Sequence, residues 1–380
     1  AVNAVVNRDV AKNFRAFLRR PALLGLTGIF LLYLLSGLNS DNLVYWLERL
    51  RMKLPFLFLP FAFLSIPRFP PRLYLGLLAF FFWLIFVMAS YSLMRFVVDL
   101  EDLTYLYRLG KVMPTPVMHI RFSLMVAFSA AIGWYLYNWG FAFRYPAERF
   151  WMLGAALFLV FYLHLLAVRS GLLALYGMAL YFFIEEVIRR RRYRVAVIAV
   201  LVFGASLLVS YHFIPTLKNK VDYTLYNIRL FRANSNLEEL SDSYRLGSIE
   251  AGIQLGNRHF FTGVGIGDLK DESDRYFEAH YPALAGKDLL PHNQYVLVYA
   301  AMGIVGLLYF VWATASPLFV SSAHRDPLFV AFHILIFLSF MVEHTIEAQL
   351  GTAFYLLFLL MGMSYIERNA AQAAQKKPGS

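Results

Sequence analysis

Long apolar runs, separated by short polar segments, fill most of the chain. A membrane-crossing helix needs about 20 predominantly apolar residues. By that measure ten spans are predicted, near 21–38, 54–67, 73–94, 120–138, 150–168, 171–188, 194–214, 292–319, 327–345 and 350–366. The second is short and bracketed by Pro55, Pro60 and Pro67, after an expected outward loop that carries Arg49, Arg51 and Lys53. The fifth and sixth meet at Arg169 and predict a helical hairpin. Neither strand alternation nor a repeat of about 20–50 residues is present, which argues against barrels and solenoids. The pattern predicts an all-α polytopic membrane protein.

One polar stretch breaks the pattern. Residues 215–291 carry 9 basic and 11 acidic residues between the seventh and eighth spans. Within it, Leu237, Leu240, Tyr244, Ile249 and Ile253 fall near helical spacing, so a helix is predicted over 236–255. Long structured loops in compact domains usually carry function. The chain therefore divides into N-terminal membrane helices (1–214), the long loop (215–291), C-terminal membrane helices (292–367) and a tail (368–380).

Composition agrees with a membrane assignment. Of 380 residues 59% are hydrophobic, against about 45–50% in soluble domains, and the mean hydropathy is +0.56. The net charge of +11 would suggest nucleic acid in a soluble protein. Here the basic residues lie between apolar runs, so topology accounts for them and no nucleic-acid partner is expected. With the N-terminus in the cytoplasm, the loops on that side are richer in Lys and Arg, above all in the RRRRYR cluster at 189–194. Both termini are then cytoplasmic, and the long loop lies on the opposite face. Cys is absent, which removes disulfides, thiolate metal sites and Cys nucleophiles.

Candidate chemistry gathers on the long-loop side. Arg169, between two apolar runs, must reach water, lipid headgroups or an anion. Arg245 lies in the predicted loop helix. Gly263, Gly265 and Gly267 alternate in NRHFFTGVGIGDL, where exposed N–H groups can cradle an anion or form a tight turn. Pro291-His292-Asn293 opens the eighth span. A helix N-terminus disfavours an imidazolium, so a neutral His292 suits a general base. Glu343 and Glu347 would share a helix face at i,i+4, with His344 between them. One nearby His does not make a metal site, so neither metal nor cofactor is expected. His344 or Glu347 would instead orient His292 or contact an acceptor. No acidic residue falls near a mid-span position, which counts against an ion-coupled pump.

From His292 the sequence runs His-Asn, nine residues, then Gly303-Ile304-Val305-Gly306. This resembles the motif H[N/S/Q]x9Gxx[G/T/Y] of bacterial O-antigen ligases at every fixed position. The Gly-rich FFTGVGIGDL resembles an element of the wider ligase and polymerase superfamily. Arg169 in AVRSG resembles its Ser-Arg-Gly segment, with the Ser after the Arg instead of before it. Arg245 lies about 50 residues before His292, where the ligases have a second essential Arg. The resemblance covers about 160–310.

It implies about 10–12 membrane helices, a partly helical periplasmic loop and likeness to type-C glycosyltransferases. Such enzymes are metal-independent and inverting. The implied reaction moves O-antigen from undecaprenyl diphosphate to a sugar hydroxyl of lipid A-core, at the periplasmic face of the inner membrane. His292 would be the base, Arg169 and Arg245 the diphosphate ligands, with Asn293 and the glycines Gly263, Gly265 and Gly267 lining the substrate site. Membrane lipids are the remaining partners. An O-antigen polymerase or a protein O-oligosaccharyltransferase shares this architecture, and a lipid or polysaccharide transporter is the competing class.

Overall fold

The computed structural model describes residues 10–64, 70–98, 113–138, 145–191, 193–194, 197–198, 201 and 241–375. Most of the predicted seventh span, the first part of the long loop, Arg192 and the last five residues of the tail lie outside the described residues. The described chain is helical and without strands. Seven of its helices are long and apolar enough to cross a membrane. It is an all-α, multi-pass membrane protein.

Two compact units are present: Ala1–Leu35, Leu47–Ala179 and Leu307–Ser380 in the first, and Ser36–Trp46 and Leu180–Gly306 in the second. In chain order the helices are α1 (Val10–Leu18), α2 (Pro21–Leu35), α3 (Leu43–Leu64), α4 (Pro71–Val98), α5 (His119–Asn138), α6 (Pro146–Leu166), α7 (Arg169–Arg190), α8 (Ser241–Arg258), α9 (Leu269–His280), α10 (Gln294–Ala315), α11 (Pro327–Val342) and α12 (Gln349–Gln375).

The first unit is organised around α5, most of whose residues are buried. A helix apolar on every face belongs in such a centre. Phe128 of α5 meets Phe332 of α11 and Phe354 and Phe358 of α12, with ring centroids 4.9–5.9 Å apart. Edge-on aromatic pairs of this kind add about 0.5–1.5 kcal/mol beyond burial. Helix ends follow local chemistry. Asp326 caps α11 by accepting the N–H of Phe329 at 2.9 Å, and Pro327 takes the first helical position. Ala167, at φ 52°, turns the chain sharply between α6 and α7. Gly171 then lets α7 sit on Ser123 of α5, where a Cβ would come within 2.6 Å of the serine side chain.

Two differences from the sequence expectation bear on chemistry. The expected outward loop at 49–53 is helical: α3 runs unbroken from Leu43 to Leu64 through Pro55 and Pro60. Its Lys53 is fully buried. A hydropathy scale treats every lysine as hydrated, whereas this one is neutralised by a carboxylate. Second, α11 ends at Val342, and Glu343 is extended at φ −152° and ψ 154°. Glu343 and Glu347 therefore share no helix face.

In the second unit, α8 and α9 pack through Ala251, Tyr276, Phe277 and Leu284. Glu250 fastens the pair by accepting from the hydroxyls of Tyr281 at 3.0 Å and Tyr276 at 3.4 Å. Burial and the Glu250 carboxylate push the Tyr281 phenol up to about 12, so it remains a donor at neutral pH. The predicted loop helix is present as α8, which runs on to Arg258, and the predicted start at 236–240 lies outside the described residues. The short α9, rich in charge, has no span-like pattern to announce it.

Candidate functional site

His292 sits directly before α10 in the second unit. The helix starts at Gln294, and Asn293 is its cap: Oδ1 accepts from the N–H groups of Tyr295 at 3.0 Å and Val296 at 3.1 Å. A capping Asn satisfies donors that the first helical turn leaves without carbonyl partners. Pro291 is thus outside the helix, although the sequence pattern puts it at the first turn.

Helix α8 lies against this entry. A Cβ on Gly252 would stand 2.6 Å from Val296 and 2.7 Å from Pro291, and one on Gly256 would meet Tyr299 at 2.4 Å. Small residues there bring the α8 backbone close to the His292 segment. Ser248, one turn before Gly252, donates to the Arg245 carbonyl at 2.9 Å. Its oxygen accepts the backbone N–H of His292 at 3.2 Å and lies 3.1 Å from His292 Nδ1. Arg245 is one turn further back on the same face of α8, because residues three and four apart are neighbours on a helix. The second unit therefore brings Arg245, Ser248 and His292 together. Ser248 is the residue that sequence patterning misses. Its i,i+3 spacing from Arg245 is the signal, but one serine at such a spacing is common.

The Gly-rich segment has a different employment. Its N–H groups from Gly263 to Gly267 go in turn to the carbonyls of His259, Ala300 and Ala301 and to the hydroxyls of Ser36 and Ser40, all at 2.7–3.0 Å. Asn39 donates to Gly263 O at 2.7 Å, and the Asp268 carboxylate accepts the N–H groups of Asp41 and Asn42. These N–H groups serve the protein's own acceptors.

Gly263 and Gly303 permit this docking. Both have positive φ, 68° and 66°. A Cβ on Gly303 would lie 2.3 Å from the Phe261 backbone, while Ile304 N donates to Phe260 O at 2.8 Å. The first Gly of the His292 motif, Gly303, is thus where α10 breaks and a loop backbone crosses it. Gly303→Ala is expected to cost at least about 2–3 kcal/mol, from a disfavoured φ plus backbone overlap. The check is the unfolding temperature in detergent, and an unchanged value would refute this account.

The first unit holds the other expected residues. Arg169 begins α7 and is exposed, while Ser170 beside it is buried. His344 and Glu347 lie in the break between α11 and α12. The Glu347 carboxylate takes Lys53 Nζ at 2.9 Å and the hydroxyl of Tyr33. Lys53 also donates to Ile346 O at 2.5 Å. Arg121 of α5 reaches the His344 carbonyl at 3.4 Å and stands 4.0 Å from Glu343. Burial by itself would raise the Glu347 carboxyl, but Lys53 and the donors from Tyr33 and Lys53 outweigh it and hold it at about 2. Glu347 is thus an anchor of the helix break, with Lys53 and Tyr33 as partners that hydropathy conceals. Among the described residues no group of three His, Cys, Asp or Glu side chains gathers as a metal ligand set.

No curated protein matches the chain. The segment holding Arg169, Arg245 and the motif from His292 to Gly306 has a counterpart among protein families. Residues 154–311 match the family model described as O-Antigen ligase.

Proposed function

We propose that the protein transfers an O-antigen glycan from undecaprenyl diphosphate to a sugar hydroxyl of lipid A-core, at the periplasmic face of the bacterial inner membrane. The observation that carries this reading is His292, held at the mouth of α10 by Ser248, which itself lies one helical turn from Arg245, all inside the matched segment.

The chemistry follows from the residue types. The acceptor oxygen forms a bond to the anomeric carbon as the bond from that carbon to the diphosphate oxygen breaks, with inversion. His292 takes the acceptor proton as nucleophilicity is needed. The leaving diphosphate accumulates negative charge. Guanidinium groups suit it, because they stay charged and bind phosphate oxygens through paired N–H groups. We assign Arg245 and Arg169 to that task, which needs neither metal nor nucleotide. The lipid tail finds apolar surface on the membrane helices, which draw on 36 Phe.

The test is a purified reaction with undecaprenyl diphosphate-linked O-antigen and lipid A-core in EDTA, read as a gel ladder of modified core. A ladder is expected. A donor glycan that lengthens instead would make the protein a polymerase, and transfer to a protein would make it an oligosaccharyltransferase. Bound donor with no transfer to any acceptor would favour transport. Arg245→Ala and Arg169→Ala are each expected to lower kcat/KM for the donor about 10²–10³-fold, the usual loss of a transition-state donor. Unchanged donor kinetics in both would remove them from the diphosphate site.

A further inference from the structure

Ser248 has no part in the reaction as proposed, yet it is fully buried against the base. Its one oxygen meets three protein atoms: the Arg245 carbonyl at 2.9 Å, the His292 backbone N–H at 3.2 Å and His292 Nδ1 at 3.1 Å. A hydroxyl has one proton to give and two lone pairs to receive. The carbonyl can only accept, and the amide N–H can only donate. The hydroxyl proton therefore goes to Arg245 O, and one lone pair takes the His292 amide. The three contacts coexist as hydrogen bonds only if the third partner also donates, which puts the ring hydrogen on Nδ1. A neutral imidazole carries one N–H, so Nε2 is then its proton acceptor.

We propose that Ser248 is a positioning residue that holds neutral His292 as the Nδ1–H tautomer, so that Nε2 receives the proton of the acceptor hydroxyl. The opposite arrangement, with the serine proton on Nδ1, would place hydrogen on Nε2 and leave no base there. The Arg245 carbonyl opposes that arrangement by competing for the same proton. This back-bond to the i−3 carbonyl is a habit of Ser and Thr in helices. The inference rests on His292 being the general base, and it links α8 to the base through backbone as well as side chain.

Two measurements test it. The first is nitrogen-15 NMR of the full chain labelled at its histidine rings, with His292→Asn identifying the His292 signals by their loss. At a pH where the ring is neutral, Nδ1 is expected to show the hydrogen-bearing shift and Nε2 the lone-pair shift. The reverse pattern overturns the tautomer assignment without touching the role of His292, which its own activity variant decides.

The second compares Ser248→Thr with Ser248→Val, which match in shape and differ in the hydroxyl. The Thr variant is expected to keep kcat within about threefold of native. The Val variant should lose about 10–100-fold in kcat at unchanged donor KM, up to the usual worth of a general base. Equal kcat in the two variants overturns the role. If neither variant folds, the NMR of the unaltered protein still decides.

Discussion

Replacing His292 with alanine is expected to lower glycan transfer by about 10²–10⁴-fold, the range a positioned general base contributes, while the donor lipid still binds. The acceptor is a sugar hydroxyl, a poor nucleophile until its proton leaves. Alanine offers no lone pair for that proton. The protein should survive the change. The entry of α10 is capped by Asn293, and the docking of α8 depends on Gly252 and Gly256, not on the imidazole. Ser248 keeps its bond to the Arg245 carbonyl and can still accept the backbone N–H of residue 292. Initial rates of core modification and direct binding of donor lipid separate the outcomes. A rate within tenfold of native would exclude His292 as the base. Lost donor binding would make it a binding residue instead.

The second large effect is on stability. Lys53→Met is expected to destabilise the protein by about 3–5 kcal/mol, because it leaves the Glu347 carboxylate buried without its cation. Both side chains are 0% exposed, 2.9 Å apart. Adding Glu347→Gln to Lys53→Met should recover much of the loss, since no uncompensated charge then remains. Denaturation midpoints of native, single and double variants make the comparison. A single variant as stable as native would show that the pair is not the staple of the α11–α12 break. The sign of its pH dependence is fixed. Glu347 is held below its ordinary value of 4.5, at about 2. Its stabilisation is present in full above about pH 4.5 and is lost as pH falls toward 2. The deficit of Lys53→Met should shrink as pH falls, because without its cation the buried Glu347 carboxyl is raised and takes up a proton.

Some of this architecture is local, and local patterns are legible in a sequence. A membrane helix satisfies its own backbone, so apolar length alone marks α4, α5, α6, α7, α10 and α12. The loop helix α8 shows its apolar spacing. The motif from His292 to Gly306 carries its identity in fixed spacing, and Arg245 is picked out only by the family resemblance. The failures are also physical. A hydropathy reading places Lys53 in water because it cannot see the carboxylate 294 positions away that accompanies it. Helical periodicity carries Glu343 and Glu347 onto one face because it cannot see Lys53 and Arg121 holding the chain out of helix.

The sequence by itself determined the membrane class, most of the spans, the loop helix and the residues of the family motif. Each depends on side chains a few positions apart, whose spacing is set by the helix repeat. The tertiary structure alone decided that Ser248 meets His292 across 44 positions. It also decided that the N–H groups of the Gly-rich loop serve Ser36, Ser40 and α10, and that Gly303 is a crossing point of two backbones. Those pairings depend on which distant segments close upon one another. That choice belongs to the packing of the whole chain, where a hydroxyl or a glycine is fitted to a partner that no local pattern specifies.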